Sequence, residues 1–158
     1  YADVEDRMQE LLVKLQAMQE EFLNLADQDA KVFAPLAAAY SLPASTEEEK
    51  QEKARIMEEN LLAASLVPLH MMEKAAETLE LLEVLGEKGS RMAVSDVGVA
   101  VQFARTALTG AVMNVYINTK SMKNREKAEE LNAKAGVLIE NGTKKADEIY
   151  AKVLEQLV

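Results

Sequence analysis

Apolar residues return every three or four positions from the start of the chain to Tyr40. Met8, Leu11, Leu15, Met18, Phe22 and Leu25 open the series, and Phe33, Leu36 and Tyr40 close it. That spacing places them on one face of an α-helix. Pro35 cannot donate to the carbonyl of Lys31, so a kink is predicted there. Pro43, in "SLPAST", ends the helix, and Ser45 or Thr46 followed by Glu48 or Glu49 forms a capping-box pattern. A second helix is predicted from about Thr46 to Glu87, bent or interrupted at Pro68 and stopped by Gly86 and Gly89. A third helix lies within Ser90–Lys120 and ends near Ser121–Asn124, where Asn124 can cap a fourth. The fourth carries Leu131, Ala135, Leu138, Gly142, Ala146, Ile149, Val153 and Leu157 on one stripe. Four long helices with short connections predict an all-α, up-and-down bundle forming a single domain over residues 1–158. Long, thin bundles often bury one face against a second copy, so a homodimer is expected.

Composition adds to this picture. Aromatic residues make up only 4% of the chain, with 6 Gly and 3 Pro, and nothing reads as a strand. The formal net charge of -9 argues against nucleic acid or an anionic membrane surface as the main partner. An anionic small molecule would need a local basic patch, for which Arg55, Lys88, Arg91, Lys120 and Arg125 are candidates. There is no cysteine, hence no disulfide framework and no thiolate chemistry. No apolar run reaches membrane-span length and no signal-peptide pattern opens the chain, so a cytoplasmic location is expected.

Several polar residues interrupt the apolar faces. In the first helix, Asp29 fills a core slot between Leu25 and Phe33, whereas Asp27 points about 200° away, beside Glu20, Asn24 and Lys31. A buried carboxyl holds its proton more tightly, because the charged form loses its hydration, and a general base or acid near neutral pH needs that property. A structural, hydrogen-bonded carboxylate is the alternative. In the third helix, Asp96, Asn114 and Asn118 share a face with the small residues Ala100, Ala107 and Gly110. Asp96 and Asn114 are about 27 Å apart along that helix. They serve two sites, or an antiparallel second chain brings opposite ends together. Ser95 and Asp96 could equally cap the helix, and the asparagines could satisfy buried backbone. His70 stands alone, without a second ligand at metal spacing, and no metal is expected. The eight methionines read as core filling. "NGT" at Asn141 falls on a predicted helix, so its glycosylation pattern carries no weight.

The stretches "LADQDAKVF", "AYSLPASTEEEK", "AASLVPL" and "SDVGVAVQFARTALTGAVMNVYIN" together resemble the formiminotransferase-cyclodeaminase C-terminal family. The resemblance implies a helical homodimer with a folate site near the subunit interface. It implies an enzyme acting on a tetrahydrofolate derivative without a cofactor. Such an enzyme forms 5,10-methenyltetrahydrofolate from the 5-formimino compound with release of ammonia, or interconverts the 5,10-methenyl and 10-formyl compounds by hydrolysis. The second Asp of the family's D-x-D-A motif is the proposed proton acceptor, and here it is Asp29. Ser95, Asp96, Asn114 and Asn118 would hold the pterin or the tetrahedral intermediate. Two features depart from the pattern. Gly89 is followed by Ser90 where the family usually has Asn, and the family's preceding helix and Pro-Gly-Gly-Gly-Ser loop are not in this sequence. A non-catalytic helical dimerisation module, truncated or degenerate, is therefore the alternative expectation.

Overall fold

A computed structural model describes residues 4–158. Four helices follow one another: α1 (Glu5–Tyr40), α2 (Glu47–Lys88), α3 (Val94–Ser121) and α4 (Arg125–Glu155). A short 3-10 turn, Arg91–Ala93, precedes α3, and no strand occurs among the described residues.

The boundaries follow local chemistry. Thr46 accepts from the Glu49 amide while the Glu49 carboxylate accepts from the Thr46 amide, which closes the predicted capping box. Asn124 accepts from the Lys127 amide and caps α4 as predicted. The start of α3 differs from expectation. Ser90 accepts from the Met92 amide and caps the 3-10 turn, so Ser95 and Asp96 lie inside α3 and cap nothing. Pro35 and Pro68 both sit within unbroken helices. At Pro68 a neighbouring helix takes over the hydrogen bond that the proline removes, as shown below.

The buried stripe of α1 is also shifted from the predicted one. Leu11, Met18, Leu25, Leu36 and Ala39 are buried, with Leu15, Phe22, Asp29 and Val32 half-buried between them. These positions alternate steps of four and three, a seven-residue repeat like that of a coiled coil. The repeat reaches Val32 and Ala39, whereas Phe33 and Tyr40, about 100° further round, are 62% and 58% exposed.

Helices α2, α3 and α4 pack on one another around Leu61, Met72, Leu108, Val115 and Leu131 at one end, and Leu79, Val101, Ala146, Ile149 and Val153 at the other. Close approach of α3 and α4 depends on glycine. A Cβ on Gly142 would run into the buried Leu108 side chain, and one on Gly98 would lie 3.0 Å from Val153 Cγ1. Helix α1 rests on α2 alone, through Leu11, Met18 and Leu81 at one end and Leu36 at the other, and touches neither α3 nor α4. The expected bundle is therefore open along one side, and a groove floored by α2 runs between α1 and α3. None of the helices is long and apolar enough to cross a membrane, among the described residues.

Candidate functional site

The groove collects most of the polar residues that interrupt the apolar faces. At its lower end a cavity of about 410 Å³ is lined by Leu15 of α1, Thr78, Leu82 and Leu85 of α2, and Asp96 and Ala100 of α3. That size suits a small organic ligand. Leu15, Phe22 and Asp29 stand seven residues apart and form one column on α1, so the wall that begins at Leu15 carries Asp29 further up. Ala100, Ala107 and Asn114 form the matching column on α3.

Height along the groove follows from cross-links to α2. Thr78 bonds the Met18 sulfur, Glu21 lies 3.2 Å from Lys74, and the Lys53 ammonium bonds the Tyr40 carbonyl. Interpolation between these antiparallel contacts sets Asp29 level with Ser65 and Leu66. On the other wall, Asn118 Nδ2 donates to the Ala64 carbonyl at 2.9 Å. Asp29 and Asn118 thus flank one stretch of α2, with Asn114 a turn lower on α3 and Asp96 at the far end of the groove.

The Ala64 contact has a specific cause. In a regular helix the Ala64 carbonyl would accept from the amide of residue 68, which is proline and has no N–H. The Asn118 amide group supplies the missing donor. One of the alternatives weighed for the asparagines, satisfaction of buried backbone, therefore holds for Asn118 Nδ2, and Oδ1 remains for another partner. Asn114 is exposed and uncommitted.

Asp29 is half-buried and makes no hydrogen bond or ion pair among the described residues. It occupies the predicted slot, but the open groove leaves it wetter than a core position. Asp27 is exposed, as its register required. Ser95 is not brought to the others. It lies about 100° round α3 from Asp96 and lines a separate cavity with Gly98, Gln102 and Tyr150. His70 is half-exposed and lies 3.4 Å from Glu21, a link between α1 and α2. Among the described residues no His, Cys, Asp and Glu side chains form a group that could hold a metal.

Two candidate basic residues are already engaged. Arg55 is bound by Glu52 and Glu59, and Arg125 caps α3 by donating to the Thr119 and Met122 carbonyls. Lysines that the sequence pattern did not single out, Lys50, Lys53 and Lys123, converge beyond the end of α3. Positions so far apart in the chain carry no common signal before folding.

An open helical bundle whose groove carries the Asp29 carboxylate on one wall and Asn118 on the other, with Asp96 at its far end, forms a candidate small-molecule site with groups able to carry a proton. Residues 1–136 match the family described as Formiminotransferase-cyclodeaminase. A methenyltetrahydrofolate cyclohydrolase of Methylorubrum extorquens is 36% identical over 90% of this chain and 69% of its own length. The formimidoyltransferase-cyclodeaminase of Mus musculus is 33% identical over 75% of this chain, which spans only 22% of that longer protein. In fold, the chain is similar to formiminotetrahydrofolate cyclodeaminase of Thermotoga maritima, with TM-score 0.77 at 23% identity over 99% of this chain and 72% of that one. The chain belongs to the formiminotransferase-cyclodeaminase family.

Proposed function

We propose that this protein is a one-carbon folate enzyme that opens or forms the 5,10-methenyl bridge of tetrahydrofolate, with Asp29 as the proton carrier. The observation that carries the reading is the 36% identity to a methenyltetrahydrofolate cyclohydrolase along 90% of the chain. The uncommitted Asp29 carboxylate, level with Asn118 across the groove, supports it from the structure.

In the hydrolytic direction, water adds to the methenyl carbon and loses a proton to Asp29. The tetrahedral centre then collapses, the bond to N5 breaks, and N5 takes a proton as the formyl C=O forms on N10. One proton is released overall. In the cyclodeaminase direction, N10 attacks the protonated formimino carbon on N5. The N10 proton passes through Asp29 to the departing nitrogen, and ammonia leaves. Asn114 and the free Oδ1 of Asn118 hold the pterin or the tetrahedral centre by hydrogen bonds in both cases. Asp96 and Ser95 have no part within one chain at this level of the groove. The protein's own groups carry these steps, and we assign no cofactor.

We also propose a homodimer. Val99, Phe103, Met113 and Ile117 are exposed along the outer face of α3, an apolar surface unusual for a monomer. An antiparallel two-fold contact there would turn Asp96 of one copy toward Asn114 of the other. The compartment we propose is the cytoplasm, in keeping with a chain that uses no cysteine.

Loss or gain of the methenyl chromophore, with methenyltetrahydrofolate and formiminotetrahydrofolate as separate substrates, tests the reading. Asp29→Asn is expected to keep the helix content and to lower the rate by about 10²–10⁴-fold. Asp27→Asn, on the solvated side, is expected to change it little. Equal rates for wild type and both variants would make Asp29 a structural carboxylate. No turnover of either substrate would favour a non-catalytic helical dimerisation module.

A further inference from the structure

Helix α3 carries a second periodic face, opposite the one that packs on α2 and α4. Val99, Phe103, Thr106, Gly110, Met113 and Ile117 follow one another at alternating steps of four and three, the seven-residue repeat of a coiled coil. All six are exposed, although four of them are large and apolar. Leu108, midway along the row, points the other way and is fully buried. The same rhythm continues to Asp96 near the start of α3 and to Lys120 near its end. Both are exposed, and neither makes an ion pair among the described residues.

Read in reverse, this row is its own complement. An antiparallel copy, related by a two-fold axis level with residue 108, sets each position against the one equally far on the other side. Val99 meets Ile117, Phe103 meets Met113, and the small residues Thr106 and Gly110 meet beside the axis. Asp96 falls level with Lys120, acid against base, at both ends of the contact. Sliding one copy by a single repeat sets Asp96 against Met113, or Lys120 against Phe103, and strands a charge in an apolar layer. The surface also has room for the apolar layers. Beside Gly98 a cavity of about 430 Å³ opens between α3 and α4, lined by Val99, Phe103, Tyr150 and Leu154 among others. It stands level with Met113 and Ile117 of the second copy and offers them mainly apolar walls.

We propose that α3 pairs with α3 of a second copy in this register, and that Lys120 of that copy joins Asp96 at the lower end of each groove. The inference rests on the homodimer reading above and extends it by naming the contact and its register. Asp96 lines the lower cavity of the groove, so each copy lends the other a cation there. Asn114 of the second copy lies six residues from that level, about 9 Å along the axis. Within one chain Asp96 and Lys120 are about 36 Å apart along α3, so any coupling between them comes from the second copy.

Two kinds of variant test this, in sedimentation at one moderate ionic strength, with helix content followed by circular dichroism. Asp96→Lys sets like charges together at both ends and is expected to raise the dimer dissociation constant about tenfold, as is Lys120→Asp. The exchanged variant Asp96→Lys/Lys120→Asp keeps the net charge of -9 and is expected to recover wild-type association. The chain has no cysteine of its own, so engineered thiols report cleanly. Val99→Cys/Ile117→Cys is expected to give a disulfide-linked dimer on mild oxidation. Neither single cysteine should do so, because the two-fold axis leaves like positions about 27 Å apart. Failure of the exchange to restore association overturns the Asp96–Lys120 contact, and failure of the paired cysteines to link overturns the register. Either result leaves the homodimer reading standing. A wild-type monomer overturns both.

Discussion

Asn118 shows how one residue can serve both fold and site. Pro68 leaves the Ala64 carbonyl without its helical donor, and Asn118 Nδ2 fills the gap from a different helix. A carbonyl left unpaired in a half-buried setting costs about 1–3 kcal/mol. Asn118→Leu is therefore expected to destabilise the protein by that order in urea unfolding. In a Pro68→Ala background the backbone amide restored at that position can donate to the Ala64 carbonyl within α2, and the same Asn118→Leu substitution should cost distinctly less. The double-mutant cycle reads this coupling directly, on the order of 1 kcal/mol. Additive effects would show that Asn118 stabilises the fold by some means other than replacing the proline's missing donor. Asp29 is a different kind of residue. It has no partner to lose within the described chain, so a substitution there should be felt in turnover and hardly in stability.

Between elements, Lys145 ties α4 to α2 by donating to Glu80 at 2.7 Å and Glu83 at 2.8 Å. The hydrogen bond from Lys145 holds the Glu83 carboxyl below its ordinary value, and the two carboxylates raise the Lys145 ammonium above its own. A depressed carboxyl stabilises the fold above its unfolded-state value, and that stability is lost as pH falls through the folded one. The raised ammonium stabilises below its unfolded-state value and loses this as pH climbs through the folded one. Both contributions are therefore present at neutral pH. With side chains 27% and 32% exposed, the pair contributes up to about 1 kcal/mol. Lys145→Met should cost that much at pH 7 and much less in acid, below the ordinary carboxylate range, by urea unfolding at the two pH values. A penalty unchanged with pH would assign the loss to packing of the lysine stem. The helices themselves were legible from sequence, because period, caps and stops are local signals. A stripe shows that a face is buried but not against which neighbour. That is why the slot of Asp29 could be read while its half-exposure could not: α1 rests on α2 and leaves α3 untouched. The same limit hid the convergence of Lys50, Lys53 and Lys123, which meet only because α3 ends short of α2.

At the scale of the whole molecule, two features act against each other. A net charge of -9 pushes copies apart, while Val99, Phe103, Met113 and Ile117 leave a row of apolar surface along α3. Burial of apolar surface is short-ranged and little affected by salt, whereas the repulsion is screened over about 8–10 Å at moderate ionic strength. The proposed homodimer should therefore tighten as salt rises. Phe103→Glu with Ile117→Glu is expected to give a monomer at micromolar concentration by sedimentation, with its helix content retained, since these side chains are 73% and 61% exposed and support little of the core. Gly110 offers a sharper probe. Nothing in the chain lies within 4 Å of where its Cβ would stand, so Gly110→Leu has room in the isolated subunit. If that substitution weakens association while leaving unfolding of the monomer unperturbed, the contact it disturbs belongs to a second chain. If the wild-type protein already sediments as a monomer at both low and high salt, the apolar face of α3 is not a dimer seam, and Asp96 of one copy has no route to Asn114 of another.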